Sequence, residues 1–119
     1  MSAEIVNDLG KVIIEDSVIA SIAGIAAMQS YGIVGMASKN AKDGIFELLR
    51  FDFMSKGIDV EVVDNSINLD LHVILEYGVK ISVVAQNIID NVKFNVESIT
   101  GLRVDNINVL VQGIRVDKK

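Results

Sequence analysis

Cysteine is absent from this chain, and histidine occurs once, as His72. The first absence removes disulfides, a thiol nucleophile, zinc–thiolate centres and cysteine-held iron–sulfur clusters. The second removes a His-rich metal site and leaves little from which to build a Ser-His-Asp triad. Proline is missing too, so glycine is the only strong punctuation in the chain. Basic charge is scarce: 11 Lys and Arg stand against 16 Asp and Glu, for a net charge of -5. Nucleic-acid recognition rests on a basic footprint, which the chain lacks as a whole. No apolar run approaches the ~18 residues of a membrane-spanning helix. The opening MSAEIVNDLG carries acid and no basic n-region. It does not read as a secretory signal, and the expected location is the cytoplasm.

What is present is a chain of 119 residues, half of them hydrophobic. That suffices for one domain, residues 1–119, with a core that needs no staples. Lys11 to Ile14 reads as a short strand. Asp16 or Ser17 then serves as a helix N-cap, and Val18, Ile19, Ile22, Ala23 and Ala26 follow at helical spacing. Gly32 stands where a left-handed residue ends a helix, and Ile33 to Ala37 reads as a strand. Residues 38 to 57 read as a loop with a short helix and some mobility.

Period-two alternation is clearest from residue 58 onward. Ile58, Val60 and Val62 alternate with Asp59 and Glu61; Ile67, Leu69, Leu71, Val73 and Leu75 alternate with Asn68, Asp70, His72 and Glu76. This predicts an antiparallel hairpin with one apolar face and a turn of two or four residues. Gly78 ends it. Ile81, Val84, Ala85, Ile88, Val92, Val96 and Ile99 then form a stripe at three-four spacing, a long amphipathic helix closed by Gly101. A last strand carries Ile107, Val109 and Val111 on one face, parallel to the strand before the helix. The predicted fold class is α+β: a two-layer sandwich, a mixed β-sheet with two main helices on one face, in the order β-α-β-β-β-α-β. MQSYGIVGM and ESITGLRVDNINV both run from a helix end through glycine into a strand, which reads as one packing solution used twice.

Four features invite a functional reading. Gly32, Ile33, Val34 and Gly35 form a G-x-x-G tetrad, the signature with which one class of RNA-binding domain clamps a backbone. Lys39 and Lys42 lie just beyond it. Its apolar centre suits a buried strand better. His72 falls on the polar side of a strand and reads as an ordinary exposed histidine, opposite Asp59 if Asn65-Ser66 makes the turn. A catalytic role for it requires a pocket and a second partner. Asp59, Glu61, Asp70 and Glu76 line one hairpin face without the spacing of a calcium loop; they read as a solvated face or as a negative face for a basic partner. Three of the four phenylalanines fall in the segment that includes Ile45, Phe46, Leu49, Phe51, Phe53 and Met54. Aromatics and Met are enriched at interfaces, so those six residues are the expected partner-binding set. No catalytic, cofactor or metal residues are expected.

Three stretches together resemble the alkaline shock protein family of Gram-positive bacteria. They are GKVIIEDSVIASIAGIAAMQSYGIVGMASK, KGIDVEVVDNSINLDLHVILEYGVKISVVAQNIIDNVKFNVESITGL and VDNINVLVQGIRV. The resemblance runs from about Gly10 to Val116 and is nearest the small single-domain branch labelled YloU-like. It implies a non-enzymatic, cytoplasmic protein of the envelope stress response, with no cofactor. It implies self-association into homo-oligomers. As partners it offers a membrane-anchored relative, which would place the protein under the membrane, and a fatty-acid-kinase-like enzyme. It carries over no catalytic residues.

The resulting expectation is a scaffold or adaptor that works through protein–protein contacts. The competing readings are a nucleic-acid-binding module using the GIVG turn, and a cofactor-free enzyme or small-molecule carrier using His72.

Overall fold

A long strand, β5 (Ser66–Glu76), organises the fold. In the computed structural model, which describes residues 2–37 and 56–116, it is flanked on both edges. The 13-residue β6 (Arg103–Arg115) runs parallel to it along its whole length, from Ser66–Arg103 to Glu76–Arg115. The other edge is shared. β4 (Ile58–Val63) pairs antiparallel with Ser66 to Leu71, and β3 (Ile33–Met36) pairs antiparallel with Val73 to Leu75. Because β6 occupies the whole of one edge, β3 and β4 lie end to end along the opposite edge. Ala37 N–H donates to His72 O at 2.9 Å, and Ile58 pairs with the next residue, Leu71. The chain leaves this lane after Ala37 and re-enters it one position further along.

The alternation in β5 sends Ile67, Leu69, Leu71, Val73 and Leu75 to one face, all fully buried. Two helices cover that face. α1 (Asp16–Met28) lays Ile19, Ala20, Ala23, Gly24, Ala26 and Ala27 inward, and these small residues let it approach closely. α2 (Ile81–Thr100) contributes Val84, Ile88, Val92 and Val96. Ile107, Val109 and Val111 pack against the same core from β6, as their alternation predicts. Asn91 Nδ2 on α2 donates to Ser30 Oγ just past α1 at 2.9 Å. The α+β sandwich with a mixed sheet is therefore the observed architecture.

Local details differ. α1 begins at Asp16, with Glu15 at its N-cap and no side-chain cap, so neither Asp16 nor Ser17 holds the cap position. Val18, Ile81 and Ile99 are exposed: a three-four stripe read from sequence is wider than the strip two helices can cover on three strand lanes. An additional strand precedes the predicted ones. β1 (Ser2–Asn7) pairs antiparallel with β2 (Gly10–Glu15) as a separate two-stranded sheet. Of the loop and short helix predicted over residues 38–57, residues 38–55 lie outside the described residues.

The two helix exits use glycine differently. Gly101, at φ 75°, caps α2 directly, and its N–H donates to Glu97 O. Gly32, at φ 89°, comes later, beyond a turn that follows the Gln29 C-cap of α1. A Cβ added there would stand 2.9 Å from Val84 Cγ2, so α2 packs on the bare glycine. Gly35 lies opposite Ile74, and the register shifts between Ile33 and Gly35, a β-bulge.

Candidate protein-binding surfaces

The G-x-x-G tetrad is absorbed by the sheet. Gly32 O accepts from Glu76 N–H at 2.9 Å, and Gly35 and Met36 pair with Ile74 and Val73. Its backbone is occupied by strand hydrogen bonds instead of facing a ligand. Lys39 and Lys42 lie outside the described residues.

His72 corrects two expectations. The turn between β4 and β5 is Asp64-Asn65, with φ 51° and 62° and Val63 opposite Ser66. This is a two-residue turn of the primed kind, whose twist matches its strands. That register puts Asp59 opposite Asp70 and leaves His72 one residue beyond the last β4 pair, Ile58–Leu71. His72 is only 7% exposed, and its Nδ1 lies 3.1 Å from Gly57 O. A carbonyl only accepts, so Nδ1 carries the proton and donates it. His72 is thus a buried side chain that ties the chain's re-entry point to β5. It lines none of the described clefts.

The outward face of the sheet carries polar rows across three strands. Asn106 Nδ2 donates to Asn68 Oδ1 and Asn108 Nδ2 to Asp70 Oδ1, each at 2.9 Å. With Asp59 and Glu61 these side chains border an open depression of about 600 Å³. Among the described residues no group of three His, Asp or Glu side chains converges to hold a cation. The acids predicted to share a face do so, but Glu76 is separated from the others by the buried His72 and Ile74.

Apolar surface is concentrated elsewhere. The β1–β2 hairpin leaves Ile5, Val6, Leu9, Val12 and Ile13 exposed, with Leu9 at 101%. Ile5 pairs with Val12 on one, apolar face, while Val6 and Ile13 lie on the opposite face among Glu4 and Lys11, which approach each other to 3.9 Å. Its base is fixed: Ala3 is buried, Ile14 packs on the core, and Asn65 bonds Glu4 through both backbone groups. Its tip is ordered by Asn7, whose Oδ1 accepts from Leu9 N–H at 2.9 Å and Gly10 N–H at 3.1 Å. Sequence alternation alone missed β1 because its polar–apolar period, Ser2-Ala-Glu-Ile, is short and breaks at Val6.

Two further surface features are concave. Ile22, Ile25, Ala26 and Ile99 line a groove of about 100 Å³ between the outer sides of the helices. At the end of β5, Tyr31, Tyr77, Val79 and Val83 border a cleft of about 430 Å³ with Glu76 and Lys80 at its rim. Both tyrosines are well exposed, Tyr31 at 79% and Tyr77 at 70%. The six residues predicted from sequence to bind a partner, Ile45, Phe46, Leu49, Phe51, Phe53 and Met54, lie outside the described residues. Among the described residues no helix is long and apolar enough to cross a membrane.

Comparison with known proteins agrees with the sequence resemblance. The chain is 47% identical over 117 residues to the uncharacterized protein YloU of Bacillus subtilis (strain 168), covering 98% of both chains. It is 44% identical over 117 residues to the uncharacterized protein Spy1614 of Streptococcus pyogenes serotype M6, covering 98% of this chain and 97% of that one. It is 27% identical over 113 residues to a stress response regulator gls24 homolog of Streptococcus pyogenes serotype M3, covering 92% of this chain and 62% of the relative. No solved structure matches. The profile of the alkaline shock protein family, described by its cell envelope-related function, matches residues 4–116, and the chain belongs to that family.

Proposed function

We propose that this protein is a non-enzymatic scaffold or adaptor in the cell-envelope stress response or in envelope homeostasis, acting through protein–protein contacts that include self-association. The observation that carries the reading is the N-terminal hairpin: an ordered ribbon with Val6, Leu9, Val12 and Ile13 in water. Contiguous exposed apolar surface on a folded chain marks a contact site. A two-stranded ribbon is also marginal on its own, and a partner that covers it stabilises it. The family's envelope-related description and the stress response regulator among the relatives support the physiological side of the reading.

The protein acts in the cytoplasm in this reading and reaches the membrane, where it does so, through a partner. A membrane-anchored relative and a fatty-acid-kinase-like enzyme are the partners to test first. The segment holding Phe46 and Phe51 supplies a further contact. The test combines capture from the native host with the light-scattering mass of the purified protein across concentration. A mass that rises with concentration, or stoichiometric capture of one defined protein, is the expected result. A monomer at every concentration that captures nothing defeats the proposal.

A further inference from the structure

We infer that the hairpin tip docks head-to-tail into the tyrosine cleft of a second copy of this chain; the inference rests on the self-association in the proposed function and gives it a surface and a direction. The tip presents Leu9, wholly exposed, on a turn held by Asn7, with Asp8 beside it. The cleft presents Tyr31, Tyr77 and Val83 with Lys80 at its rim. Neither Asp8 nor Lys80 has an ion pair among the described residues. The match is between an apolar knob with an acid beside it and a recess walled by two exposed tyrosines and Val83 with the Lys80 ammonium at its edge. Glu76 also lines the recess without an ion pair among the described residues, so the docked acid must seat on the Lys80 side.

Geometry forbids the contact within one chain. The hairpin is tethered where Glu4 meets Asn65, just before β5 begins, and Tyr77 directly follows the end of β5. Eleven strand residues separate these points by about 33 Å. From Glu4 the chain to Leu9 extends at most about 18 Å. A tip that cannot reach its own cleft can fill that of a neighbour. The inter-helix groove is a poorer receptor: about 100 Å³ is room for roughly three waters, and its rim of Gln29 and Asn95 carries no charge. Because knob and recess differ, the contact is heterologous, and successive copies add in one direction until a ring closes or a chain extends.

The absence of cysteine makes the test clean. Single variants Lys11→Cys, beside the tip, and Asn87→Cys, on the cleft wall, are treated with a short bis-maleimide, alone and mixed. The mixture is expected to give covalent dimer, and each variant alone is expected to give little. Adding Leu9→Asp to the Lys11→Cys chain should weaken association by about tenfold or more, as loss of a central anchor does, with circular dichroism and Tm unchanged. Restoration of an Asp8→Lys variant by Lys80→Glu on the other copy would support the same pairing. Equal cross-linking by either variant alone overturns the head-to-tail arrangement. Absence of cross-linking at concentrations where the wild-type mass exceeds a monomer overturns this docking and leaves self-association standing. A wild type that stays monomeric throughout defeats both.

Discussion

Asn65 holds Glu4 as a neighbouring strand would: Oδ1 accepts from Glu4 N–H at 3.1 Å, and Nδ2 donates to Glu4 O at 2.7 Å. One side-chain amide thereby joins the separate hairpin to the turn that starts β5. Asn65 also sits at φ 62°, which asparagine tolerates better than most residues. The same residue therefore serves the turn with its backbone and the hairpin with its side chain.

Asn65→Gly separates these roles. Glycine keeps the left-handed backbone and deletes the clasp. Hydrogen exchange at Glu4 to Val6 should accelerate, in line with loss of two hydrogen bonds at about 1 kcal/mol each, while exchange in α2 and β5 stays slow. Uniform acceleration throughout the chain would show that the hairpin is part of the global folding unit.

At His72 the expected loss comes from the acceptor left behind. His72→Ala removes the donor to Gly57 O and opens a buried space, which should cost about 1–3 kcal/mol in denaturant unfolding. His72→Asn keeps a donor near the Nδ1 position and should recover part of that loss. An alanine variant as stable as wild type would contradict the hydrogen bond's structural role.

Gly32→Ala meets two obstacles, a positive φ and the Val84 methyl 2.9 Å from the new Cβ. Together they should destabilise the protein by about 1–3 kcal/mol. Gly78→Ala is the control: it has a similar positive φ but nothing within 4 Å of an added Cβ, so it should lose less. Equal losses would remove the close approach of α2 as a cause.

Two isoleucines on α2 should behave oppositely. Ile88 is fully buried and Ile99 is exposed. Ile88→Ala should cost about 2–5 kcal/mol, and Ile99→Ala about 0.5 kcal/mol or less. A large loss at Ile99 in dilute monomer would mean that the helix stripe seals more core than the fold describes.

The central layer was legible because its signals are periodic. Alternation along Ile67 to Leu75, three-four spacing from Val84 to Val96 and glycines at the helix exits each have a direct geometric cause. Three features were not legible for equally physical reasons. The Asp64-Asn65 turn and its neighbours Asn65-Ser66 are similar in composition, and a one-residue choice between them moves His72 away from Asp59. Burial of His72 leaves no periodic trace, and its hydrogen-bond partner, Gly57 O, lies 15 residues away in the chain. The polar–apolar period of β1 is short and breaks at Val6, so it offers too little contrast to declare a face. Of the functional expectations, the acidic face is present but splits at Ile74, and the hairpin's apolar surface and the tyrosine cleft come into view only with the fold.

The shared edge of β5 has an evolutionary consequence. The chain departs at Ala37 and returns at Ile58, and these points face consecutive residues, His72 and Leu71. An excursion that ends where it began does not disturb the register on either side. The position is a built-in splice point, at which residues can be added or removed without redesigning the sandwich on either side.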